Sequence, residues 1–301
     1  MTPTTTPTTG RQADGPTAAG DAPAAPAPAP APAPRGPRLG GLKDRLYWSV
    51  SDALAVTQRN LIAYTRVPEM MVFSSIQPIM FVLLFRYVLG GAIHPVGYTY
   101  VGYLMPGVFV QTVCFGSIYT GIGLAEDLGK GILERFRSLP MARSAVLAGR
   151  TTADLCRNVF VVLIMTVVGV AVGFRSGTGL FSFMAGVFLL LAFAYALSWG
   201  SALIGLSARN AETAQAMAFP LLFPLTFASS AFAPVSSMPG WLQVFVRNQP
   251  VTIVIDACRH LMVLGGPDAH DAGSPLKALA WIVGMLIVFC PLAVRKYRKI
   301  A

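Results

Sequence analysis

Six long apolar runs dominate the sequence after residue 66 and alternate with shorter polar segments. Each run is long enough, alone or with its flanking residues, to supply the roughly 20 residues that a helix needs to cross the hydrocarbon of a bilayer. The runs cover residues 67–89, 100–124, 158–174, 180–206, 211–232 and 276–294. The pattern therefore predicts an all-α integral membrane protein with six transmembrane helices in a domain that covers residues 67–295.

The segment before the first run, residues 41–66, has a different pattern. Leu42, Leu46, Leu54 and Leu61 recur near the helical period, and charged residues lie between them. This pattern favours an amphipathic helix at the inner membrane surface over an ordinary solvated helix.

Both ends of the chain are polar. Residues 1–40 consist largely of Thr, Ala, Pro and Gly, with repeated Ala-Pro steps. Such a composition cannot bury enough apolar surface to offset its ordering entropy, so it predicts a disordered cytoplasmic tail. Residues 296–301 form a short basic tail that we also expect to be cytoplasmic.

The composition supports a membrane protein. Hydrophobic residues make up 54% of the 301 residues and charged residues 12%, whereas about a quarter of an average soluble domain is charged. The net charge of +10 would also suit nucleic-acid binding, but the basic residues lie between apolar runs and not on a polar surface. We therefore expect a lipid bilayer as a partner and no nucleic acid.

The distribution of Lys and Arg indicates the orientation. If both termini are cytoplasmic, eighteen of the 23 basic residues lie in inner segments and four lie in outer segments. Because cytoplasmic loops carry an excess of Lys and Arg, this asymmetry predicts a multi-pass protein of the cell membrane with both termini in the cytoplasm.

The predicted outer loop between the fifth and sixth runs, residues 233–275, contains two apolar segments that are too short to span a bilayer. Segments of this length usually re-enter the membrane or lie at its surface, so we expect a re-entrant extracellular segment. Pro239 and Pro250 predict the starts of two helices. A small extracellular cap without a transport role is the alternative.

The inner loop, residues 125–145, carries charges of both signs around Ile132, Phe136 and Leu139. That spacing predicts a short amphipathic helix that stops before Pro140. Such a helix can dock a soluble partner or lie on the membrane surface, and periodicity alone does not distinguish these roles.

Charged residues within the apolar runs are few. Asp154 and Arg157 lie three positions apart at the inner end of the third run, so they can pair on one helix face. A proton-coupled carrier would place carboxylates at mid-depth in its helices, and this sequence places none there.

Motifs for catalysis and nucleotide binding are absent from the sequence. The ATP-binding pattern G-x-x-x-x-G-K-[ST] does not occur, and the nearest fragment is Gly129-Lys130-Gly131. There is also no H-E-x-x-H or G-x-S-x-G motif, and the four cysteines lack metal-ligand spacing. We therefore expect no catalytic residue, cofactor site or metal site, and no enzymatic activity of the chain by itself.

The inner loop carries the strongest resemblance to a known family. The run from Gly131 to Arg143 is similar to the loop of ABC-2-type permeases, from which it departs at Ile132 and Phe136. Segments around Arg59 and Pro68, and the outer run Asn248-Gln249-Pro250-Val251-Thr252, also resemble that family, with Gln249 as an additional residue. Within the family, residues 45–299 resemble daunorubicin- and doxorubicin-resistance-type drug export permeases of actinobacteria.

This resemblance implies that the chain is the permease subunit of an ABC exporter. It implies a homodimer docked on two copies of a separate ATPase subunit, which binds ATP and Mg. The implied docking residues are Glu126, Asp127, Glu134, Arg135, Phe136, Arg137, Leu139 and Arg143. The implied re-entrant segment that closes the pathway includes Asn248, Pro250, Thr252, Asp256 and Arg259.

The expected substrate is an amphiphilic drug-like or lipid-linked molecule that moves outward. Within the family, a polysaccharide or teichoic-acid exporter permease is the alternative. The alternatives from other functional classes are a non-transporting membrane anchor or assembly protein and a secondary carrier.

Overall fold

Helices account for the regular structure in the described part of the chain. The computed structural model describes residues 42–66, 68–90, 97–132, 143–263 and 274–300, which all belong to the compact unit Leu39–Ala301. No strand occurs in these ranges, which confirms the predicted all-α class. The predicted Ala/Pro-rich tail, residues 1–40, lies outside the described residues.

Nine α-helices follow one another in the described ranges. They are α1 Leu42–Arg66, α2 Pro68–Leu84, α3 Tyr100–Gly129, α4 Arg143–Ala171, α5 Leu180–Gly205, α6 Ala211–Phe227, α7 Gly240–Asn248, α8 Pro250–Met262 and α9 Pro275–Ile300. A π-helical turn, Phe85–Leu89, extends α2, and a 3₁₀ turn, Val235–Ser237, precedes α7.

Four of these helices, α3, α4, α5 and α9, are long and apolar enough to cross a membrane. The apolar stretch of α2 is shorter, Ser75–Val88, and α6 has only 17 residues. The described helices therefore support a membrane protein, while the assignment of α2 and α6 as further spans stays a prediction.

Two helices extend beyond their predicted apolar runs. The hydrophobic pattern predicts a third span over residues 158–174, whereas α4 already begins at Arg143. Its additional turns carry charged residues that contact partners on α1 and α3. At the other end of the chain, α9 continues to Ile300. The predicted basic tail therefore forms the last turns of a helix, where positive charge complements the helix dipole.

The central helix of the bundle is α3, which packs against α2, α4, α5, α6 and α8. Its contact with α5 is especially close, because a Cβ atom on Gly121 would lie 2.5 Å from the Ser201 carbonyl oxygen. In the same interface the hydroxyl oxygens of Ser117 and Ser201 are 3.2 Å apart. Small residues of this kind let membrane helices approach at the backbone.

One side of α1 packs along α4, and another remains open. Val56 and Asn60 are buried, whereas Tyr47, Val50 and Leu54 expose more than half of their surface. These exposed apolar residues lie about one and two helical turns apart. They agree with the amphipathic pattern of residues 41–66, and their placement at the membrane surface stays a prediction.

The segment after α6 forms two short helices at the positions that its prolines predict. α7 follows Pro239 and α8 begins with Pro250. α8 packs against α3, α5 and α9. The hydroxyls of Thr178 and Ser182 donate to the Leu261 carbonyl oxygen at 2.6 and 2.7 Å, so the end of α8 is held at the start of α5.

Candidate functional site

A chain of ion pairs connects α1, α3 and α4, and we call it the charged network. Its members are Arg59, Asp127, Arg150, Asp154 and Arg157. Asp127 lies near the end of α3 and contacts Arg59 Nη2 at 3.2 Å and Arg150 Nη1 at 3.7 Å. Asp154 lies between the Nε atoms of Arg150 and Arg157, 3.7 Å from each. The network therefore joins the end of α3 to the middle of α4.

Asp154 is the most buried member of the network, with no exposed side-chain surface. The Tyr64 hydroxyl of α1 donates a hydrogen bond to Asp154 Oδ1 at 2.5 Å. Burial and, next, the negative charge of Asp154 raise the pKa of the Tyr64 hydroxyl. Tyr64 therefore keeps its proton near neutral pH and acts as a neutral donor to the carboxylate.

Arg157 ends the network inside the bundle, where its side chain is 5% exposed. Its Nη2 donates to the Gly116 carbonyl oxygen at 2.5 Å. Its guanidinium carbon lies 4.8 Å from the centroid of the Tyr119 ring. A charge-assisted hydrogen bond and a cation–π contact thus offset part of the cost of burying this cation.

The network depends on the residue spacing of α4 and on a glycine of α3. Arg150, Asp154 and Arg157 follow one another at intervals of four and three residues, so they share one helix face. A Cβ atom on Gly123 would lie 1.6 Å from Arg150 Nη2, because the guanidinium occupies the space beside that glycine. Arg150 Nη1 also donates to Asn60 Oδ1 of α1 at 3.4 Å.

This arrangement suits mechanical coupling between helices. A buried ion pair adds little net stability compared with an apolar contact, but loss of one partner leaves an uncompensated charge. The network therefore favours the arrangement of α1, α3 and α4 in which its charges stay paired. No group of three or more His, Cys, Asp or Glu side chains within the described ranges could hold a metal ion.

The structure places three of the eight residues of the implied docking surface. Glu126 forms an exposed ion pair with Lys130 at 3.3 Å, and Asp127 belongs to the charged network. Arg143 is the first residue of α4. The other members lie outside the described residues: Glu134, Arg135, Phe136, Arg137 and Leu139.

Two of the implied outer-segment residues belong to a second polar cluster, the Arg259 clamp, formed by Tyr103, Ser230, Asp256 and Arg259. Arg259 Nη1 pairs with Asp256 Oδ1 at 2.7 Å, and Nη2 donates to the carbonyl oxygens of Tyr103 and Ser230 at 3.1 and 2.9 Å. The guanidinium carbon lies 3.9 Å from the centroid of the Tyr103 ring. The clamp fastens α8 to α3 and to the segment after α6.

The remaining residues of the implied outer segment lie at the junction of α7 and α8. Pro250 is the first residue of α8. The side-chain nitrogen of Gln249 donates to Thr252 Oγ1 at 3.1 Å and to the Ala228 carbonyl oxygen. Asn248 is exposed, and its side chain donates to a carbonyl oxygen of α7 at 2.8 Å. Gln249, the additional residue in the family resemblance, thus ties the junction to the end of α6.

The predicted pairing of Asp154 with Arg157 is confirmed by their 3.7 Å contact. Sequence reasoning did not identify Arg150, although it lies one turn before Asp154 on the same face. It also missed Tyr64 and Tyr103, whose partners are 90 and 156 positions away in the chain. No local pattern signals contacts between residues so far apart.

Comparisons with known proteins agree on one family. The family described as "ABC-2 type transporter" matches residues 52–263, a range that contains the charged network and the Arg259 clamp. The daunorubicin resistance ABC transporter permease protein DrrB1 of Streptomyces coeruleorubidus is 33% identical over 251 residues, which are 83% of this chain and 87% of that protein.

Two further relatives are named as transport permeases. The probable doxorubicin resistance ABC transporter permease protein DrrC of Mycobacterium tuberculosis is 28% identical over 264 residues, 87% of this chain and 94% of that protein. The putative transport permease ycf38 of Cyanophora paradoxa is 25% identical over 219 residues, 71% of this chain and 75% of that protein.

Proposed function

Because the chain belongs to the ABC-2 type transporter family, we propose that it is the membrane-spanning permease subunit of an ABC exporter. A separate ATPase subunit hydrolyses ATP, and the permease moves an amphiphilic drug-like or lipid-linked substrate outward. The observation that carries this proposal is the similarity to drug-resistance permeases over most of the length of both chains.

The proposed topology has six spans, α2 to α6 and α9, with both termini in the cytoplasm. The distribution of basic residues supports this orientation, because it leaves eighteen of 23 on the cytoplasmic side. In this topology α7 and α8 form a re-entrant segment on the outer side. The burial of α8 against α3, α5 and α9 supports a position within the bundle.

Cysteine labelling tests the topology. In a chain without its native cysteines, single cysteines at Gly10 and Pro275 should react with an impermeant maleimide from opposite sides of sealed vesicles. Labelling of both positions from the same side would exclude the six-span arrangement.

The proposed docking surface for the ATPase is the segment of residues 125–145, which includes the end of α3, the connection after it and the start of α4. The charged network supports this assignment, because Asp127 of the implied docking surface also contacts Arg150 of α4. A movement of the docked loop would therefore alter ion pairs inside the permease. On the basis of the family resemblance, the proposed complex contains two copies of this permease and two copies of the ATPase, and each ATPase binds ATP and Mg.

Reconstitution tests the export function. The permease and its ATPase subunit, purified together in proteoliposomes, should transport daunorubicin into the vesicle lumen when ATP is added on the ATPase side. The control complex carries an ATPase whose phosphate-binding lysine is replaced by alanine, and its transport should be lost.

Two other results would contradict the proposal. Transport that continues without the ATPase and stops with a proton ionophore would assign the chain to the secondary carriers. A stable complex whose ATPase activity responds to no substrate, and which moves none, would indicate an anchor or assembly protein.

A further inference from the structure

A cleft of about 30 Å³ lies between α2, α3 and α4, at the end of the charged network that Arg157 forms inside the bundle. Polar side chains from all three helices line it: Gln77 of α2, Gln111 and Tyr119 of α3, and Arg157 and Asn158 of α4. Since a water-sized group needs about 10–15 Å³ of such space, the cleft has room for about two oxygen-sized positions. We call it the donor cleft.

Several buried nitrogens of the donor cleft lack a hydrogen-bond acceptor among the described residues. Gln111, Arg157 and Asn158 are at most 5% exposed. Gln111 Nε2 and Asn158 Nδ2 have no hydrogen-bond partner among the described residues, and Arg157 Nε has only the longer contact of 3.7 Å with Asp154 Oδ1. All three are donors, and a buried donor without an acceptor is costly. The chemistry that satisfies them is a group with two or more acceptor oxygens.

The charge balance at the cleft favours an acidic group. The charged network contains three arginines and two aspartates, and Asp154 is shared between Arg150 and Arg157. Arg157 therefore brings a positive charge to the cleft that is only partly neutralised. A phosphate or carboxylate would supply both the missing acceptors and the missing negative charge.

The surroundings of the cleft favour a ligand with an apolar part. Phe81 and Phe115 line the cleft beside the polar groups. Gln77 and Tyr119 are exposed, so the cleft opens to the surface of the subunit. Close to these residues along the helices, Met80 of α2 is 62% exposed. An acidic group in the cleft would thus lie next to a surface that suits hydrocarbon chains.

We propose that the donor cleft binds the acidic head group of an amphiphile that enters from the bilayer, with its phosphate or carboxylate oxygens facing Gln111, Arg157 and Asn158. This goes beyond the proposed export function, because the ligand binds whether or not it is transported.

Lipid-dependent thermal unfolding of the purified full-length chain in detergent tests the proposal. The probes are dioleoylphosphatidylglycerol and dioleoylphosphatidylcholine, which share their acyl chains and differ in net charge. The anionic lipid should raise the unfolding temperature at concentrations at which the zwitterionic lipid has little effect.

Two variants locate the effect in the cleft. Gln111→Met and Asn158→Leu should each weaken the apparent affinity for phosphatidylglycerol about tenfold, the scale of one hydrogen bond to a charged group. Without lipid, Gln111→Met should unfold at or above the wild-type temperature, because it removes a buried donor that has no acceptor. The matched control, Gln215→Met on the exposed side of α6, should bind the lipid like the wild type.

Three results would overturn the proposal. The first is equal stabilisation by both lipids, and the second is wild-type phosphatidylglycerol affinity in both cleft variants. The third is a response to glycerol 3-phosphate as strong as the response to the lipid, which would make the ligand a soluble anion. No ATPase takes part in these measurements, so their outcome is independent of the export assay.

Discussion

The substitution Asp154→Asn tests the charged network most directly. Asparagine keeps the shape of the side chain and an oxygen that can accept from the Tyr64 hydroxyl, so the main change is the loss of one negative charge. Within the network, Asp127 would then be the only carboxylate; it contacts Arg59 and Arg150, so Arg157 would lose its carboxylate partner.

The expected magnitude follows from burial and distance. Asp154 has no exposed side-chain surface and lies 3.7 Å from two arginines. Removal of one partner from a buried ion pair typically costs about 3–5 kcal/mol. Because the side chain of Arg150 is 15% exposed and can gain water, we expect the lower end, about 3 kcal/mol. For a chain of 301 residues that corresponds to an apparent Tm lower by roughly 5 °C.

The assay is thermal unfolding of the purified permease in detergent, with Glu212→Gln as the matched control. Glu212 is exposed in the first turn of α6, so the same loss of a carboxylate charge there removes only a helix-dipole interaction. That interaction is worth about 0.3–1 kcal/mol. The control should therefore unfold within about 2 °C of the wild type.

A double variant separates network coupling from a general effect of the substitution. Arg150→Met with Asp154→Asn removes one positive and one negative charge, so it should lose less stability than the sum of the two single variants. Coupling of contacting charged residues is commonly about 0.5–3 kcal/mol. If Asp154→Asn unfolds at the temperature of Glu212→Gln, the network contributes no stability and the reasoning is refuted.

Three other predictions concern the outer clamp, the docking loop and the N-terminal tail. Arg259→Lys should lower the apparent Tm by several degrees, because a lysine ammonium group cannot reproduce the forked guanidinium that reaches Asp256, Tyr103 and Ser230. The control, Arg247→Lys at an exposed position of α7, should leave the apparent Tm unchanged. Equal effects of the two substitutions would exclude a stabilising role for the Arg259 clamp. Glu134→Arg should leave membrane insertion intact but abolish export by the reconstituted complex, because charge reversal at a docking surface weakens association. Arg175→Ala, on the predicted outer side, should transport normally, and wild-type export by Glu134→Arg would contradict the docking assignment. Deletion of residues 1–38 should change neither insertion nor transport, since a tail without a core contributes little to folding; loss of export would indicate a binding role.

Local sequence patterns predicted much of the helical architecture. The apolar runs predicted helices that the structure contains, and Pro239 and Pro250 correctly predicted the starts of α7 and α8. The Asp154–Arg157 contact was predictable for the same reason, since helical spacing alone brings residues three apart onto one face. The start of α4 was not predictable from hydropathy, because charged turns interrupt an apolar pattern even where the fold neutralises them.

The sequence by itself determined the all-α class and the pairing of neighbours along one helix, because these depend on hydrophobicity and helical period. The tertiary structure decided which distant residues share a site. Only the packing of α1, α3 and α4 brings Tyr64, Asp127 and Arg150 to the buried pair on α4. Only the packing of α8 against α3 buries Arg259, which the sequence placed in an outer loop. Such contacts depend on the free energy of desolvating charges between helices, which no local pattern encodes.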